Sequence, residues 1–327
     1  MTTLVTTITE TLRYRGKVGQ WSWVLHRLTG LGTLLFLTLH IIDTSWAAFY
    51  PELYQDAIKV YQSPLYTIGE FGLVACVIYH AFNGLRIILL DYKPQWWKYQ
   101  RQASNYVFLA TTITLIPTFV LMFNHVLDYY GDSPDVIGLE AFVNLQVDFV
   151  LGFAVIIVAA LLLSGVYGLL GGGRSRLRLP GRLESTMWSF MRISGVLIIP
   201  LVFGHLAMMH VIQGVFDITA QDITVIGTNA VNESGKAVEF VGARWDALVA
   251  GVAVWRVYDG LLLALVTVHG FNGLRYVVDD YATRPLLNRA LNMVIWFGMI
   301  ALIILGAAAL LEGVDQTAYE IATKSLK

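Results

Sequence analysis

Charge is scarce in this sequence. Only 14% of the 327 residues are Asp, Glu, Lys or Arg, whereas 56% are hydrophobic, and the mean hydropathy is +0.62. A soluble protein of this length needs more charged side chains to cover its surface. The formal net charge is −1, so the basic excess that is typical of nucleic-acid-binding proteins is also missing. These shortages favour an integral membrane protein and argue against a nucleic-acid partner.

Cysteine is almost absent as well. The single cysteine, Cys76, lies in the middle of an apolar run, which leaves neither a disulfide framework nor a thiolate metal cage. The segment 1–20 is polar and rich in threonine, without the apolar core of a signal peptide. We therefore expect the first membrane helix to act as its own insertion signal.

Long apolar runs, by contrast, are abundant. A helix needs roughly 20 apolar residues to cross the hydrocarbon core of a bilayer. Seven runs are long enough, the third being the weakest because it contains Pro117 and several threonines; they cover about 23–47, 66–91, 104–127, 148–170, 187–212, 257–280 and 289–312. The sequence thus predicts an all-α integral membrane protein with seven transmembrane helices.

Lys and Arg are distributed unevenly among the connecting segments. These residues concentrate on the cytoplasmic side of membrane proteins. With the N-terminus inside, the inner segments hold Arg13, Arg15, Lys17, Lys93, Lys98, Arg101, Arg174, Arg176, Arg178, Arg182, Arg284 and Arg289. The outer segments then hold only Lys59, Lys236, Arg244, Arg256, Lys324 and Lys327. We therefore predict a cytoplasmic N-terminus.

A thirteen-residue phrase occurs twice, as H-A-F-N-G-L-R-I-I-L-L-D-Y at 80–92 and as H-G-F-N-G-L-R-Y-V-V-D-D-Y at 269–281. Eight of the thirteen positions are identical. A looser repeat precedes each copy: Arg27-Leu-Thr-Gly30 and Arg192-Ile-Ser-Gly195 are each followed by a histidine ten residues after the glycine. The chain therefore contains two related units of three spans each.

The fourth apolar run explains how two such units can be parallel. A three-span unit that begins on the inner side of the membrane ends on the outer side. One extra helix, at about 148–170, must therefore return the chain to the inner side before the second unit begins. A flexible, basic stretch from Gly171 to Arg182 follows it. The predicted organisation is a first three-helix repeat at 1–130, a connecting transmembrane helix and linker at 131–186, and a second repeat at 187–327.

Four histidines lie inside the predicted spans, several residues from the span ends: His40, His80, His205 and His269. An intramembrane histidine is costly unless it has a partner, so it is a functional candidate. Two histidines from facing helices commonly hold haem iron in a helix bundle, with small residues nearby to make room for the ring. The sequence therefore indicates a haem-binding bundle.

Depth in the membrane predicts how the histidines pair. His80 and His269 are each six residues, about 9 Å, from an arginine near the inner edge. His40 and His205 are each thirteen residues, about 20 Å, from an arginine near that same edge. We predict that His80 and His269 bind an inner haem iron and that His40 and His205 bind an outer one.

The other histidines fit this pattern less well. His210 has no counterpart in the first unit, and His125 lies at a span end. His26 and His40 are fourteen residues apart, the ligand spacing of the cytochrome b of quinol:cytochrome c oxidoreductases. That architecture needs the same spacing on a second helix, where Met191 takes the place of His26. It is therefore disfavoured.

These motifs resemble a known family. The first unit, with H-R-L-T-G at 26–30 and H-x3-G-x-R-x4-D at 80–91, resembles the larger membrane-anchor subunit of succinate dehydrogenase. The second unit, with H-x3-G at 269–273 and Asp280-Tyr281, resembles the smaller anchor subunit. The resemblance implies both cytochrome b anchors of a succinate:quinone oxidoreductase, fused in one multi-pass chain of the cytoplasmic membrane of a prokaryote.

The resemblance also implies cofactors and partners. In this family a flavoprotein subunit oxidises succinate, an iron–sulfur subunit passes the electrons on, and the anchor binds haem b and quinone without acting on succinate itself. The family's haem ligands correspond to His80 and His269, and the additional pair His40 and His205 is similar to that of members with two haems. The quinone is menaquinone or ubiquinone, and the whole complex can form a higher oligomer.

For the quinone site, the family's arginine and tyrosine correspond to Arg27 and Tyr281, with Asp280 adjacent and His26 next to the arginine. The family's serine would fall at Trp23, so Ser22, one position earlier, takes its place only approximately. Arg192, at the position equivalent to Arg27, is implied as a haem-propionate partner, and Arg27 itself is a second candidate for that role. Two rival functions remain: the di-haem anchor of another membrane dehydrogenase, such as a hydrogenase or formate dehydrogenase, and a proton-coupled transporter.

Overall fold

A computed structural model of the chain describes residues 17–132 and 181–314, together with isolated helical positions between 154 and 169. Six helical segments in these ranges are long and apolar enough to cross a membrane. They contain α1 (Val18–Phe49), α3 (Pro64–Tyr92), α4 (Gln100–Asp132), α5 (Gly181–Leu206), α7 (Val254–Tyr281) and α8 (Pro285–Glu312). The prediction of an all-α integral membrane protein is confirmed.

Six of the seven predicted spans coincide with these helices. The connecting span at 148–170 and most of the basic linker lie outside the described residues, so the seventh helix and the parallel arrangement of the repeats stay predictions. Helix α5 begins at Gly181, earlier than the expected start at 187. Its first turn holds Glu184, whose carboxylate binds the buried guanidinium of Arg275, so the helix continues beyond the apolar run.

Local sequence signals mark several helix ends. Helices α2 (Pro51–Tyr61) and α8 both begin with proline, whose missing N–H is not needed at the first helical position. Helix α8 stops at Gly313, which has φ of +72°, a left-handed conformation that glycine adopts without strain.

Helix α4, the weakest of the predicted spans, is continuous in spite of its polar residues. The hydroxyls of Thr112, Thr114 and Thr118 each donate to the carbonyl four residues earlier, at 2.9 Å. Pro117 lies within the helix. Because the hydroxyls are satisfied inside the helix, they expose no unpaired donor to lipid.

Four helices form a closed ring, and two lie outside it. Helix α1 packs against α3 and α7, and α5 also packs against α3 and α7. Helix α4 packs on the outside of α3, and α8 packs on the outside of α7 and α1. All four histidines predicted as ligands are on the ring helices, so the interior of this ring is the place where a site can form.

The predicted outer segments are folded rather than irregular. They contain α2, α6 (Ala237–Asp246) and two short hairpins, β1 (Ile223–Thr224) with β2 (Val231–Asn232) and β3 (Leu248–Val249) with β4 (Val252–Ala253). Tyr54 and Ile58 of α2 pack with Phe240 and Trp245 of α6 in one apolar cluster. We call residues 213–253 the outer cap; it packs on α2 and on the start of α7.

Candidate functional site

The first histidine site lies where α1 faces α3. His80 Nδ1 donates a hydrogen bond to the backbone carbonyl of His26 at 3.0 Å, and the two imidazoles stack with centroids 4.0 Å apart. Because Nδ1 carries the proton of this bond, Nε2 keeps its lone pair for a metal. A Cβ on Gly30 would come within 2.8 Å of His80 Cε1. Glycine at position 30 is therefore what lets the ring lie there.

His269 has matching surroundings on α7. Its Nδ1 lies 2.9 Å from Ser194 Oγ on α5, and Gly195 borders its Cε1. The Ser194 hydroxyl also donates to the carbonyl of Met191 at 3.5 Å, so its oxygen can accept a hydrogen bond from Nδ1–H of His269. The structure thus places His80 and His269 on two helices of the ring, each with a hydrogen-bond partner for Nδ1.

The predicted outer pair is also brought together. The imidazoles of His40 on α1 and His205 near the end of α5 have centroids 5.9 Å apart and planes at 74°. Phe36, one helical turn before His40, stacks on its ring at 5.4 Å. His205 Nδ1 is buried and has no hydrogen-bond partner in the described part of the chain. A buried ring nitrogen without a partner is unfavourable, as expected at a site whose ligand is not part of the chain.

These residues fit haem better than a bare metal ion. In residues 17–132 and 181–314, no group of three or more His, Cys, Asp or Glu side chains could hold a metal ion by itself. Haem needs only two protein ligands, because the macrocycle supplies the other four nitrogens. Two imidazole–metal bonds of about 2 Å place the ring centroids about 6 Å apart, close to the 5.9 Å between His40 and His205.

Arg27 forms a second group of predicted site residues at the end of the ring that carries the inner histidines. Its guanidinium forms an ion pair with Asp280 and lies 4.1 Å from the Trp23 ring and 5.8 Å from the Tyr281 ring. Tyr281 is 60% exposed. The predicted quinone residues Arg27, Asp280 and Tyr281 are therefore adjacent, with Trp23 as an unpredicted fourth member, and the group is reachable from outside the bundle.

The same arrangement recurs at the equivalent positions of the other unit. Arg192 forms an ion pair with Asp91, and its guanidinium stacks 3.3 Å from the Trp188 ring. Each pair joins the first helix of one unit to the second helix of the other. Arg192, predicted as a propionate partner, thus has a carboxylate partner within the chain already.

Two predicted quinone residues lie elsewhere. The Ser22 hydroxyl is fully buried between α1 and α3, where it donates to Asn83 at 2.7 Å and accepts from Tyr79 at 3.1 Å. His26 stacks on His80, and its Nδ1 is buried without a hydrogen-bond partner among the described residues. The one-position shift of the serine explains its placement, since it turns the side chain about 100° around the helix, away from Arg27.

Other polar contacts near the outer histidines were not anticipated from the sequence. His210 forms an ion pair of 2.5 Å with Glu70 on α3. Arg244 of the outer cap is 4% exposed and stacks 3.9 Å from the Trp255 ring. Burial lowers the pKa of the Arg244 guanidinium. No sequence motif points to His210 or Arg244. For Trp23, at the Arg27 group, the repeat gives a weak signal, because Trp188 occupies the equivalent position 165 residues later.

The sequence is similar to those of known membrane-anchor subunits. The sequence model of the family described as succinate dehydrogenase/fumarate reductase transmembrane subunit matches residues 7–121 and 173–306, well over half of the chain. The Mycobacterium tuberculosis protein named succinate dehydrogenase 2 membrane subunit SdhC is 33% identical over 135 residues, which are 40% of this chain and 99% of that protein.

Two further relatives are each named succinate dehydrogenase hydrophobic membrane anchor subunit. The Halobacterium salinarum protein is 30% identical over 74 residues, 22% of this chain and 57% of that protein. The Archaeoglobus fulgidus protein is 33% identical over 70 residues, 21% of this chain and 60% of that protein, so the chain matches less than two thirds of either. No solved structure shows a significant match. The chain belongs to the succinate dehydrogenase/fumarate reductase transmembrane subunit family.

Proposed function

We propose that this chain is the cytochrome b anchor of a succinate:quinone oxidoreductase, with two anchor subunits fused in one polypeptide. The family model matches two separate segments, and one whole mycobacterial subunit corresponds to 40% of this chain. The repeated His-x-Phe-Asn-Gly-Leu-Arg phrase lies once in each matched segment. Two subunits that elsewhere associate would here be held together by the connecting segment.

The inner haem iron is assigned to His80 and His269, one from each unit. Both rings have Nδ1 in a hydrogen bond, to the carbonyl of His26 and to Ser194. Such a bond fixes the tautomer and the ring orientation and leaves Nε2 as the metal ligand. Gly30 and Gly195 border the two rings and leave room beside them.

The outer haem iron is assigned to His40 and His205. The observation that carries the proposal is the 5.9 Å separation of these two rings, because a relay across the membrane needs a second pair at another depth. Haem iron, when bound, accepts and releases one electron at a time. His26 and His40 are fourteen residues apart on α1, so the two sites would be separated by about 21 Å along the bundle.

Arg244 is the cation that the outer cap provides near this second site. Its guanidinium lies 4.0 Å from the sulfur of Met208, three residues after His205. One guanidinium nitrogen donates to the Ile226 carbonyl at 3.2 Å. A buried guanidinium at this end of the bundle suits an anionic group such as a haem propionate.

Quinone is assigned to the group around Arg27. Reduction of a quinone to a quinol takes two electrons and two protons. The Arg27 guanidinium can donate to a quinone oxygen and stabilise the negative charge that develops there. The Tyr281 hydroxyl can donate to the same head group, and Asp280 orients Arg27. Since Asp280 and Tyr281 are exposed, protons can reach this group from the aqueous side.

The partners follow from the same assignment. An iron–sulfur subunit would dock on the face that carries Arg27 and deliver electrons, and a flavoprotein subunit would oxidise succinate. The N-terminus and this face would be cytoplasmic, in the inner membrane of a prokaryote. The anchor would then contribute the quinone-reduction site and no succinate chemistry.

Reduced-minus-oxidised optical spectra of the purified complex, recorded during a potentiometric titration, test the proposal. Two b-type components with different midpoint potentials are expected. A spectrum without a b-type band would remove the haem assignment, and would favour instead a membrane protein whose histidines carry protons. Succinate-dependent reduction of these bands separates this complex from the anchor of another dehydrogenase.

A further inference from the structure

Arg86 is a buried cation near one end of α3. It lies six residues before the helix ends at Tyr92 and is only 8% exposed. Its Nη1 donates to the hydroxyl of Ser104 on α4, and its buried Nε has no hydrogen-bond partner among the described residues. In residues 17–132 and 181–314 no carboxylate lies within 4.0 Å of it. A charge at this depth in a membrane normally has a counter-charge.

The equivalent arginine of the second unit is satisfied within the chain. Arg275 donates two hydrogen bonds to the Glu184 carboxylate, at 2.8 and 3.0 Å, and Asp279 lies 3.7 Å away. The first unit has no counterpart to this carboxylate at Arg86. The two arginines of the repeated motif therefore differ in that, among the described residues, only Arg275 has a carboxylate partner.

A cavity adjoins Arg86 outside the four-helix ring. It lies between α3, α4 and the 3-10 helix Pro94–Tyr99. Its volume is about 270 Å³, slightly below the range of small-molecule pockets, and it is open to the outside. Apart from Arg86 its walls are largely apolar; they comprise Leu89, Leu90, Trp96, Tyr99 and Ala103. The cavity therefore combines one buried positive charge with a hydrocarbon-compatible surface.

The surroundings of this cavity are those of a membrane edge. Trp96 and Tyr99 are partly exposed, as aromatic residues at the level of lipid head groups are. Lys93 lies over the Trp96 ring at 5.1 Å, and Lys98 lies over the Tyr99 ring at 4.9 Å. These cations strengthen the attraction for negatively charged lipid head groups.

We propose that the Arg86 cavity binds an anionic phospholipid. The phosphate accepts hydrogen bonds from the Arg86 guanidinium, and the start of an acyl chain lies along Leu89, Leu90 and Ala103. Charge complementarity selects the head group, and the apolar walls select a lipid over free phosphate. This assignment does not depend on haem or quinone binding.

The experiment uses the whole complex, purified in mild detergent by an affinity tag on this chain. Native mass spectrometry counts the phospholipids retained, and thermal unfolding is followed with phosphatidylglycerol, phosphatidylcholine or inorganic phosphate added to delipidated protein. We expect one tightly held phosphatidylglycerol per chain. Stabilisation should be produced by phosphatidylglycerol and not by the other two. Arg86→Gln should weaken its retention by about tenfold or more, the scale of a lost hydrogen bond to a charged group.

Arg101→Gln is the matched control, because it removes an exposed cation near the start of α4, the part of α4 that borders the cavity. It should leave retention unchanged, and Arg86→Lys should restore part of it. If Arg86→Gln prevents assembly, Ala103→Phe, which fills the cavity but keeps the charge, should displace the lipid instead. Equal retention in Arg86→Gln and wild type would overturn the proposal. So would equal stabilisation by phosphatidylcholine or by phosphate alone, or a structure of the complex in which a carboxylate of the iron–sulfur subunit reaches Arg86.

Discussion

His40 and His205 lie edge to face with ring centroids 5.9 Å apart, although 165 residues separate them in sequence. One ring is on the first helix of the first unit and the other on the first helix of the second unit. The pair is therefore a consequence of how the two units pack. It lies at a different depth from the site of His80 and His269, which makes the two sites separable by mutation.

His205→Ala should remove one haem per chain and leave the other. The inner histidines have hydrogen-bond partners of their own, at His26 and Ser194, so they do not depend on position 205. Pyridine haemochrome analysis measures the stoichiometry. His125→Ala is the control, because His125 bonds to the Val211 carbonyl and Asp217 outside the ring and should leave both haems. Simultaneous loss of both haems in His205→Ala would argue against separate pairs.

Arg27→Ala should slow succinate:quinone reduction while haem content stays at the wild-type level. The lost hydrogen bond from a charged donor is worth about 1.5–3 kcal/mol, or roughly 10- to 100-fold in rate. Quinone reductase assays and optical spectra on the same preparation separate the two effects. Arg192→Ala removes the equivalent guanidinium and should leave quinone turnover nearly unchanged. If haem is lost and quinone kinetics are kept, Arg27 is instead a propionate partner.

Tyr281→Phe should reduce quinone turnover without affecting assembly, because it removes only the hydroxyl of an exposed side chain. A loss of about fivefold is expected for a neutral hydrogen bond of about 1 kcal/mol. Tyr92→Phe, at the equivalent and also exposed position, provides the matched variant with no expected effect. Wild-type turnover in Tyr281→Phe would take this residue out of the quinone site.

Ser194→Ala should weaken binding of the inner haem alone. It deletes the hydrogen-bond partner of His269 Nδ1, and loss of such a partner typically lowers metal affinity about 10- to 100-fold. Haem retention during dilution, followed by optical spectroscopy, measures the change. Thr29→Ala is the control: Thr29 occupies the equivalent position, but its hydroxyl bonds to carbonyls of its own helix. An inner haem that is held equally tightly in both variants would contradict the role of Ser194.

Ser22→Ala should lower stability and spare quinone kinetics. The hydroxyl is fully buried and bonded to Asn83 and Tyr79, so its removal leaves buried partners unsatisfied at a cost of about 1–3 kcal/mol. Thermal unfolding of the complex and the Michaelis constant for quinone are the two measurements. A raised Michaelis constant with unchanged stability would return Ser22 to the quinone site.

Much of this architecture is predictable from the sequence because the membrane imposes simple rules. The spans follow from apolar length, and the grouping of His40 with His205 follows from counting residues between each histidine and the nearest edge arginine. The grouping of Arg27 with Tyr281 is implied by the family resemblance, whereas the ion pair of Arg27 with Asp280 is seen only in the structure. Each of these predictions depends on apolar length, residue spacing or a recognisable motif, all of which can be read without knowledge of tertiary contacts.

The parts that escape prediction depend on contacts between distant segments. The outer cap has no repeat and no long apolar run, so its hairpins and the burial of Arg244 could not be read from local pattern. The hairpin β3–β4 turns at Ala250 and Gly251, both with positive φ, and the alanine there is not a typical turn signal. The burial of Ser22 against Asn83 and Tyr79 depends on the rotation of α1 about its axis. Aligning the motif one residue earlier or later turns the expected direction of the side chain by about 100°.

The number of haems per chain tests the central claim most directly. Pyridine haemochrome analysis of the purified complex, combined with a potentiometric titration, should give two haems b per chain with two resolved midpoint potentials. His205→Ala should then eliminate one potential and Ser194→Ala should affect the other. One haem per chain in the fully loaded wild-type complex, or none, would contradict the two-haem account.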